Sequence, residues 1–373
     1  MGSARPNVDR TEKQYDIIII GGGASGLSLA CHLVSSPLRN SSILIVEKSP
    51  QARNDRTWAF WTQTPTLFDA ATCRSWHSLL IASGCKQQLL WLGPYNYKVI
   101  RGDDFTRRAH ELLSLFPNVQ IVQGRVDTVA DGPAGVTVSA HGQDHESRYE
   151  GRWVFDSRFN LSGFHPDPAH HQYLKMQFLG WEIKSPNAAF EPQTPIFLDF
   201  RTPQRGQLRF FYLLPYSDHH ALIEYVVCTD DLLHRAEQEQ AITTYIREML
   251  NIEDYNVVAT EHGINPMTDY RFRRRTGQHI MNIGIPAGML KPTTGFAFTR
   301  IQRDSAAIVR SLVKRGHPFA VPSSRWGYLL YDSLMLRAIA HHGGRIGSLL
   351  AFLFRYGSTP SILRFLDERG VPY

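Results

Sequence analysis

The hydrophobic positions change period along the chain. Ile17 to Ile20 form an apolar run with no polar face, the pattern of a strand buried on both sides. Gly21, Gly23 and Gly26 follow at once, and a helical pattern carries on through Ala30. A second apolar strand, Ile43 to Val46, ends in Glu47. Residues 89–100 alternate weakly and carry Trp91, Tyr95 and Tyr97, which predicts strands. Helical spacing covers 103–115, with Asp103 or Asp104 as the expected N-cap. Short strands are predicted at 119–122 and 125–129, and a small hairpin over 135–151. Trp153 to Arg158 then closes on a polar tip.

At 160–171 the composition shifts to Pro, Gly and His, the mark of a linker. Strand-like runs follow at 175–183, 196–200, 207–214 and 221–227. They predict an antiparallel sheet with a heavy aromatic load, either a structural face or the wall of a large apolar site. Helices are expected over 230–250, from Thr293 or Thr294 through 312, and over 327–365. The predicted fold class is α/β. A Rossmann-like dinucleotide-binding domain (15–60, 100–160 and 279–312) is joined to an antiparallel-sheet substrate domain (61–99 and 172–270). Residues 1–14 are expected to be disordered, and 320–373 to form a helical segment that is either packed in the core or lies at a membrane interface.

The glycine spacing carries the first chemistry. In G-x-G-x-x-G the first glycine permits a tight turn, the second lets a pyrophosphate approach the backbone, and the third lets helix and strand pack closely. The helix N-terminus then offers N–H groups and a positive dipole end to phosphate. Glu47 lies about 20 residues on, where such units hold the ribose hydroxyls, which favours FAD or NAD over NADP. The N-terminal position and the Gly21-Gly22-Gly23 form favour FAD. Ala24 and Lys48 join this set as cofactor-binding candidates. A second glycine-rich turn, Gly288-Met289 through Thr293-Thr294-Gly295, precedes the later helix and is a second place where backbone amides face a cofactor. Arg56, in a polar stretch running into Trp58 and Trp61, reaches a flavin or its phosphates, or anchors a loop in the core. Asp156 and Arg158, at the strand tip, are ligand candidates or an ion pair capping the strand.

Glu224 is the catalytic candidate. It stands alone in Ala-Leu-Ile-Glu-Tyr-Val-Val, and a carboxyl in apolar surroundings keeps its proton near neutral pH, as a general acid requires. The alternative is a solvent-facing position on a two-faced strand.

Charge and cysteines narrow the class. The net charge of +6 suits an anionic surface, but no nucleic-acid motif accompanies the run Arg271 to Arg275, so nucleic acid is not expected as a partner. The four cysteines are scattered without metal-ligand spacing, so no metal is expected and a reducing cytoplasm is the default. No apolar run is long enough to span a bilayer.

Several longer stretches carry a resemblance: Arg56-Thr-Trp-Ala-Phe60, Asp156-Ser-Arg158, Tyr212-Leu-Leu-Pro-Tyr216 with Leu222-Ile-Glu224, and Glu261-His-Gly-Ile-Asn-Pro266. Ala287 to Phe296, Phe352-Leu-Phe354 and Leu363 to Asp367 add to it. Together they resemble the flavin-dependent lycopene cyclases of the bacterial lycopene β-cyclase type, over nearly the whole chain. The resemblance implies a fold of the glutathione-reductase and hydroxylase flavoprotein kind. It also implies bound FAD, needed in reduced form, and a reaction without net redox change. A proton added to the end of lycopene gives a cation, the β-ionone ring closes, and loss of a proton fixes the new double bond, with Glu224 as the acid. The apolar polyene implies contact with a membrane, at the inner face of the cell membrane. The alternatives are a cyclase of the same kind acting on another terpenoid or a prenylated aromatic, and a redox flavoprotein monooxygenase. Gly284-Ile285-Pro286 lacks the Gly-Asp pair that hydroxylases of this fold carry, which weighs against the second.

Overall fold

The computed structural model describes residues 13–49, 56–142 and 146–370. Strand β1 (Lys13–Ile20) begins earlier than its isoleucine run, so Lys13 and Gln14 belong to the sheet and not to a disordered leader. Residues 1–12 lie outside the described residues, as do 50–55 before Arg56. The isoleucines divide as a two-sided strand must: Ile17 and Ile19 pack into one core, Ile18 and Ile20 into another. The glycine turn leads into α1 (Ala24–Val34), and the chain returns as β2 (Ile43–Glu47). Then come β3 (Thr57–Thr62), β4 (Thr72–Trp76), the hairpin of β5 (Ser78–Ser83) and β6 (Lys86–Trp91), and β7 (Asn96–Arg101). Helix α2 (Gly102–Leu113) is followed by β8 (Val119–Gln123), β9 (Arg125–Gly132), β10 (Gly135–His141) and β11 (Glu146–Asp156).

The second half holds β12 (Tyr173–Lys184), β13 (Ile196–Asp199), β14 (Leu208–Pro215), β15 (His220–Thr229), α3 (Arg235–Glu248) and β16 (Asn256–Thr268). A short β17 (Ile280–Asn282) precedes α4 (Phe298–Arg315), α5 (Trp326–Tyr356) and α6 (Thr359–Leu366).

Three sheets organise these elements. The first runs β8-β2-β1-β11, all parallel, and β11 then forks: its C-terminal half pairs in parallel with β17, its N-terminal half antiparallel with β10, next to β9. The second has the order β16-β12-β15-β14-β13-β5-β6, antiparallel except where β13 meets β5. The third is the small sheet β3-β7-β4. The segment 61–99, expected to belong to the substrate domain as a unit, is therefore split: β5 and β6 extend the large sheet, while β3, β4 and β7 form the small one.

The large sheet is buried on both faces. Ile223, Tyr225 and Val227 of β15 pack toward Ile242, Tyr245 and Ile246 of α3. Leu222, Val226 and Cys228 face the opposite core, which α5 covers through Leu336, Ile339, Ile346 and Phe354. The period of two puts Glu224 on the α5 side with the latter set.

Three boundaries differ from the sequence pattern. Arg101 occupies the N-cap of α2, and Asp103 and Asp104 sit in its first turn, where their charges still favour the helix dipole. Helix α3 begins at Arg235 rather than at 230. Helix α4 begins at Phe298, because residues 291–296 close a separate turn in which Gly295 N–H donates to Lys291 O (2.9 Å) and Lys291 N–H to Phe296 O (2.9 Å). The long helix also bends at His342 (φ −135°, ψ 26°).

Candidate active site

A cavity of about 580 Å³ joins the glycine turn to the large sheet. At one end it is bounded by Gly22, Gly23, Ala24, Glu47 and Lys48. Arg56, Met289, Thr294 and Gly295 line its middle, and Tyr97, Tyr212 and Glu224 its far wall.

The turn is built by close approach. Gly21 has φ +99°, and a side chain there would strike Ser157 Oγ. A Cβ on Gly26 would lie 1.9 Å from Gly21 O, so only glycine brings α1 this near the strand. Both residues shape the turn from behind and do not line the cavity. Gly23 is the N-cap of α1, no side chain caps the helix, and a Cβ there would meet nothing within 4 Å. The first turn therefore presents amides and open space together, as a diphosphate requires. Glu47 ends β2 beside it and accepts from Gly22 N–H (2.5 Å) and Ser49 N–H (2.9 Å). This donor set fits a dinucleotide with a free ribose diol.

Four sequence candidates fall away from the wall in addition to Gly21 and Gly26. Arg158 folds back on Asp156 (Nη2 to Oδ2 2.7 Å; Nε to Oδ1 3.0 Å) and donates to Val126 O (3.0 Å), so the pair closes the end of β11. The intervening Ser157 reaches the cavity instead, and its hydroxyl donates to Ile20 O (2.7 Å). Gly288 takes a left-handed conformation, and its carbonyl accepts from Arg300 (3.1 Å). Thr293 donates to Asp332 (3.0 Å), within a buried ion cluster in which Lys291 meets Asp332 (2.7 Å) and Glu368 (2.8 Å). That cluster fixes the 291–295 turn to α5 and to the end of the chain.

The far wall is made by strand register. Tyr212 pairs with Glu224, Glu224 with Gly180, and Gly180 with Glu261, so four residues form one row across β14, β15, β12 and β16. Gly180 leaves a gap in the row. A Cβ there would lie 2.9 Å from Glu261 Cγ and 3.1 Å from Leu222 Cδ1. Across that gap the two carboxyls lie close enough for each to shift the other's ionisation. Glu261 is 4% exposed, and Thr57 Oγ1 donates to its Oε2 (2.8 Å). Glu224 is only partly exposed, and the surface it keeps opens on the cavity.

Burial and the neighbouring Glu261 carboxylate push the Glu224 carboxyl well above its ordinary value, against a smaller opposite pull from Arg56. Burial also raises Glu261, which the contacts from Glu224 and Thr57 partly offset. Tyr97 is fully buried, and its hydroxyl has no hydrogen-bond partner among the described residues. Burial keeps the phenols of Tyr97 and Tyr212 protonated.

Sequence reasoning gave no role to Gly180, Tyr97, Glu261, Thr57 or Ser157. One signal was present: a glycine inside the apolar strand Phe-Leu-Gly-Trp marks close approach or a missing side chain. Among the described residues, no cluster of His, Cys, Asp or Glu could hold a metal ion.

The model of the lycopene cyclase protein family matches residues 16–356, nearly the whole chain. No curated protein matches the sequence. Solved structures are similar in fold. One is p-nitrophenol 4-monooxygenase PnpA from Pseudomonas putida DLL-E4 (12% identity, TM-score 0.69, covering 96% of this chain and 99% of that one). Another is a geranylgeranyl bacteriochlorophyll reductase-like protein from Thermoplasma acidophilum (11% identity, TM-score 0.64, covering 96% and 92%). A third, aklavinone-11 hydroxylase, is solved with FAD and aklavinone (15% identity, TM-score 0.60, covering 82% and 63%). The architecture is that of the Rossmann-like flavoproteins of the hydroxylase and reductase kind.

Proposed function

The chain belongs to the lycopene cyclase family, and from that premise we propose that it is an FAD-dependent, non-redox cyclase that turns the linear carotene lycopene into β-ionone rings. The observation that supports this most is the placing of Glu224: a carboxyl that burial keeps protonated, on an apolar wall, in the same cavity as the dinucleotide turn.

The chain's own residues account for the chemistry. Glu224 gives its proton to a terminal double bond, whose π pair forms the new C–H bond and leaves a cation. A second double bond attacks that cation and closes the ring. A ring carbon then loses a proton to the Glu224 carboxylate, which restores the acid, so the product is an isomer of the substrate. The enclosed wall keeps out water that would capture the cation, and the rings of Tyr97, Tyr212 and Phe178 offer it π faces. The amides at Gly23 and Ala24 would hold the diphosphate of FAD, Glu47 the ribose, and Met289, Thr294 and Gly295 the flavin end. When bound in reduced form, that group supplies negative charge to the cavity.

Contact with a membrane belongs to the same proposal, because the substrate is a polyene. No helix among the described residues is long and apolar enough to cross a membrane. Helices α5 and α6 do expose an apolar series: Trp326 (74%), Leu334 (53%), Phe352 (58%), Tyr356 (69%) and Phe365 (37%). We place this face on the cytoplasmic leaflet. A shorter terpenoid or a prenylated aromatic would meet the same acid, and a monooxygenase reaction is the redox alternative.

The test is anaerobic. Protein, FAD and dithionite are mixed with lycopene in liposomes, and products are separated by chromatography. A cyclic isomer of unchanged mass, absent with oxidised FAD, is expected. Unchanged lycopene despite a reducible bound flavin would exclude this substrate. A product of altered mass, with NADPH consumed, would establish the redox alternative.

A further inference from the structure

The reaction above uses one carboxyl of the wall and leaves its neighbour without a task. We propose that Glu261 is a positioning residue that shares a single proton with Glu224 and holds it on the Glu224 carboxyl, which faces the cavity. The inference rests on the proposed reaction, but its geometry stands alone.

Three features carry it. First, the register places both carboxyls in one row with only Gly180 between them, and a side chain at 180 would collide with Glu261. Second, the two ends of the pair differ. Thr57 anchors Glu261 Oε2, and a donated hydrogen bond favours the ionised form, while Oε1, on the side nearest Gly180, has no hydrogen-bond partner among the described residues. Glu224 faces the cavity. Third, among the described residues the surroundings supply charge for one anion. Arg56 acts on both carboxyls. Glu182, two positions along β12 from Gly180, is already matched by Arg101 (3.2 Å) and His220 (2.8 Å). The remaining titratable groups facing the pair, Tyr97 and Tyr212 with Tyr216 beyond them, stay neutral in their burial. Two adjacent carboxyls with one compensating cation retain one proton between them.

Glu261 would then act before and after the chemical step. As an anion it draws on the Glu224 proton and keeps it in place. Once Glu224 has given the proton up, two anions stand side by side, and that repulsion drives the proton from the ring carbon back to Glu224. No oxidant or second acid is needed, and the pair ends as it began.

The test begins without substrate. Infrared difference spectra of the flavin-loaded protein, titrated over pH, should show a protonated carboxyl persisting above the pH at which free glutamate ionises. Glu224→Gln should remove that signal. Glu261→Gln should move its titration down by at least one pH unit, a tenfold change in proton affinity, and Glu261→Asp should restore it toward wild type. The basic limb of the cyclisation rate should move by the same amount in Glu261→Gln, with activity recovered at lower pH. Gly180→Ala, which displaces Glu261 without removing it, gives the same downward shift and serves if Glu261→Gln does not fold. A wild-type protein with no protonated carboxyl at neutral pH, or variants at 261 and 180 that leave the titration unchanged, would overturn the proposal. A shifted titration with no cyclic product would leave the pair standing and remove the proposed reaction.

Discussion

The two ends of the cavity are built by opposite means. At the nucleotide end the backbone does the work: an uncapped helix, three glycines and a single acid, all within a continuous segment between Ile20 and Lys48. At the carboxylate end side chains do the work, from strands far apart in sequence. Glu261 meets Glu224 only because β12 separates β15 from β16 and carries no side chain at Gly180. A backbone site tolerates many side chains but no added Cβ at its glycines. A register site tolerates many turns but fails when one row is disturbed.

The largest expected effect separates the two ends most cleanly. Glu224→Gln removes the transferable proton and keeps the shape. Cyclisation should fall about 10²–10⁴-fold, the range for a positioned general acid. The bound flavin spectrum and its affinity should not change. Loss of flavin from this variant would show that the ends are not separable. Gly26→Ala should do the reverse. Its Cβ would sit 1.9 Å from Gly21 O, so the turn must open, at a cost of about 1–3 kcal/mol typical of overpacking. Flavin affinity should drop on equilibrium titration, and the residual holoprotein should cyclise at close to the wild-type rate. A holoprotein with normal affinity would mean that the turn relaxes elsewhere.

A smaller effect is expected from Gly180→Ala, again on the chemistry alone. Glu261 Cγ and Leu222 Cδ1 must give way by a few tenths of an ångström, and Thr57 anchors the carboxyl that moves. Turnover should fall about tenfold, roughly 1.4 kcal/mol of transition-state stabilisation, with flavin affinity intact. Unchanged turnover would mean that the gap over Gly180 is not what brings the carboxyls together.

The same contrast explains what could be read from sequence. The parallel strand, the glycine turn and Glu47 were legible because their spacing is fixed by local geometry over a short segment. Glu224 was legible as a lone acid among apolar residues, and the strand period then settles which face it takes. Glu261 was present in a recognised segment but carried no signal of its role, because its partner lies 37 positions earlier and pairing across β12 is not written in either strand. Asp156 and Arg158 misdirected for a related reason: a strand tip marks where ligands bind, but the two charges satisfy each other and leave Ser157 facing the cavity. The split of 61–99 between two sheets depends on β5 pairing with β13, more than a hundred residues on.

The smallest effect is on stability, and its sign distinguishes the two ends. The Glu224 carboxyl in the folded protein titrates well above the ordinary 4.5. Below 4.5 it is protonated in both states and contributes no pH dependence. Above it, the unfolded chain releases the proton while the folded chain keeps it, so the folded state binds more protons and stability declines as pH rises toward the folded value. Glu224→Gln cannot titrate and escapes that decline. Its melting temperature, measured against wild type, should therefore gain between pH 5 and pH 8 by about 2 °C, the shift that a kcal/mol-scale change produces in a large domain. The protein would become more stable as it loses its acid, since an acid site holds a buried carboxyl that folding alone would exclude. Gly26→Ala, a steric change with no titrating group, should instead be offset from wild type by the same amount at both pH values. A gap between Glu224→Gln and wild type that stays flat from pH 5 to pH 8 would mean that Glu224 is not holding a proton in the folded protein, and the carboxylate end would have to be explained as an ion pair with Arg56.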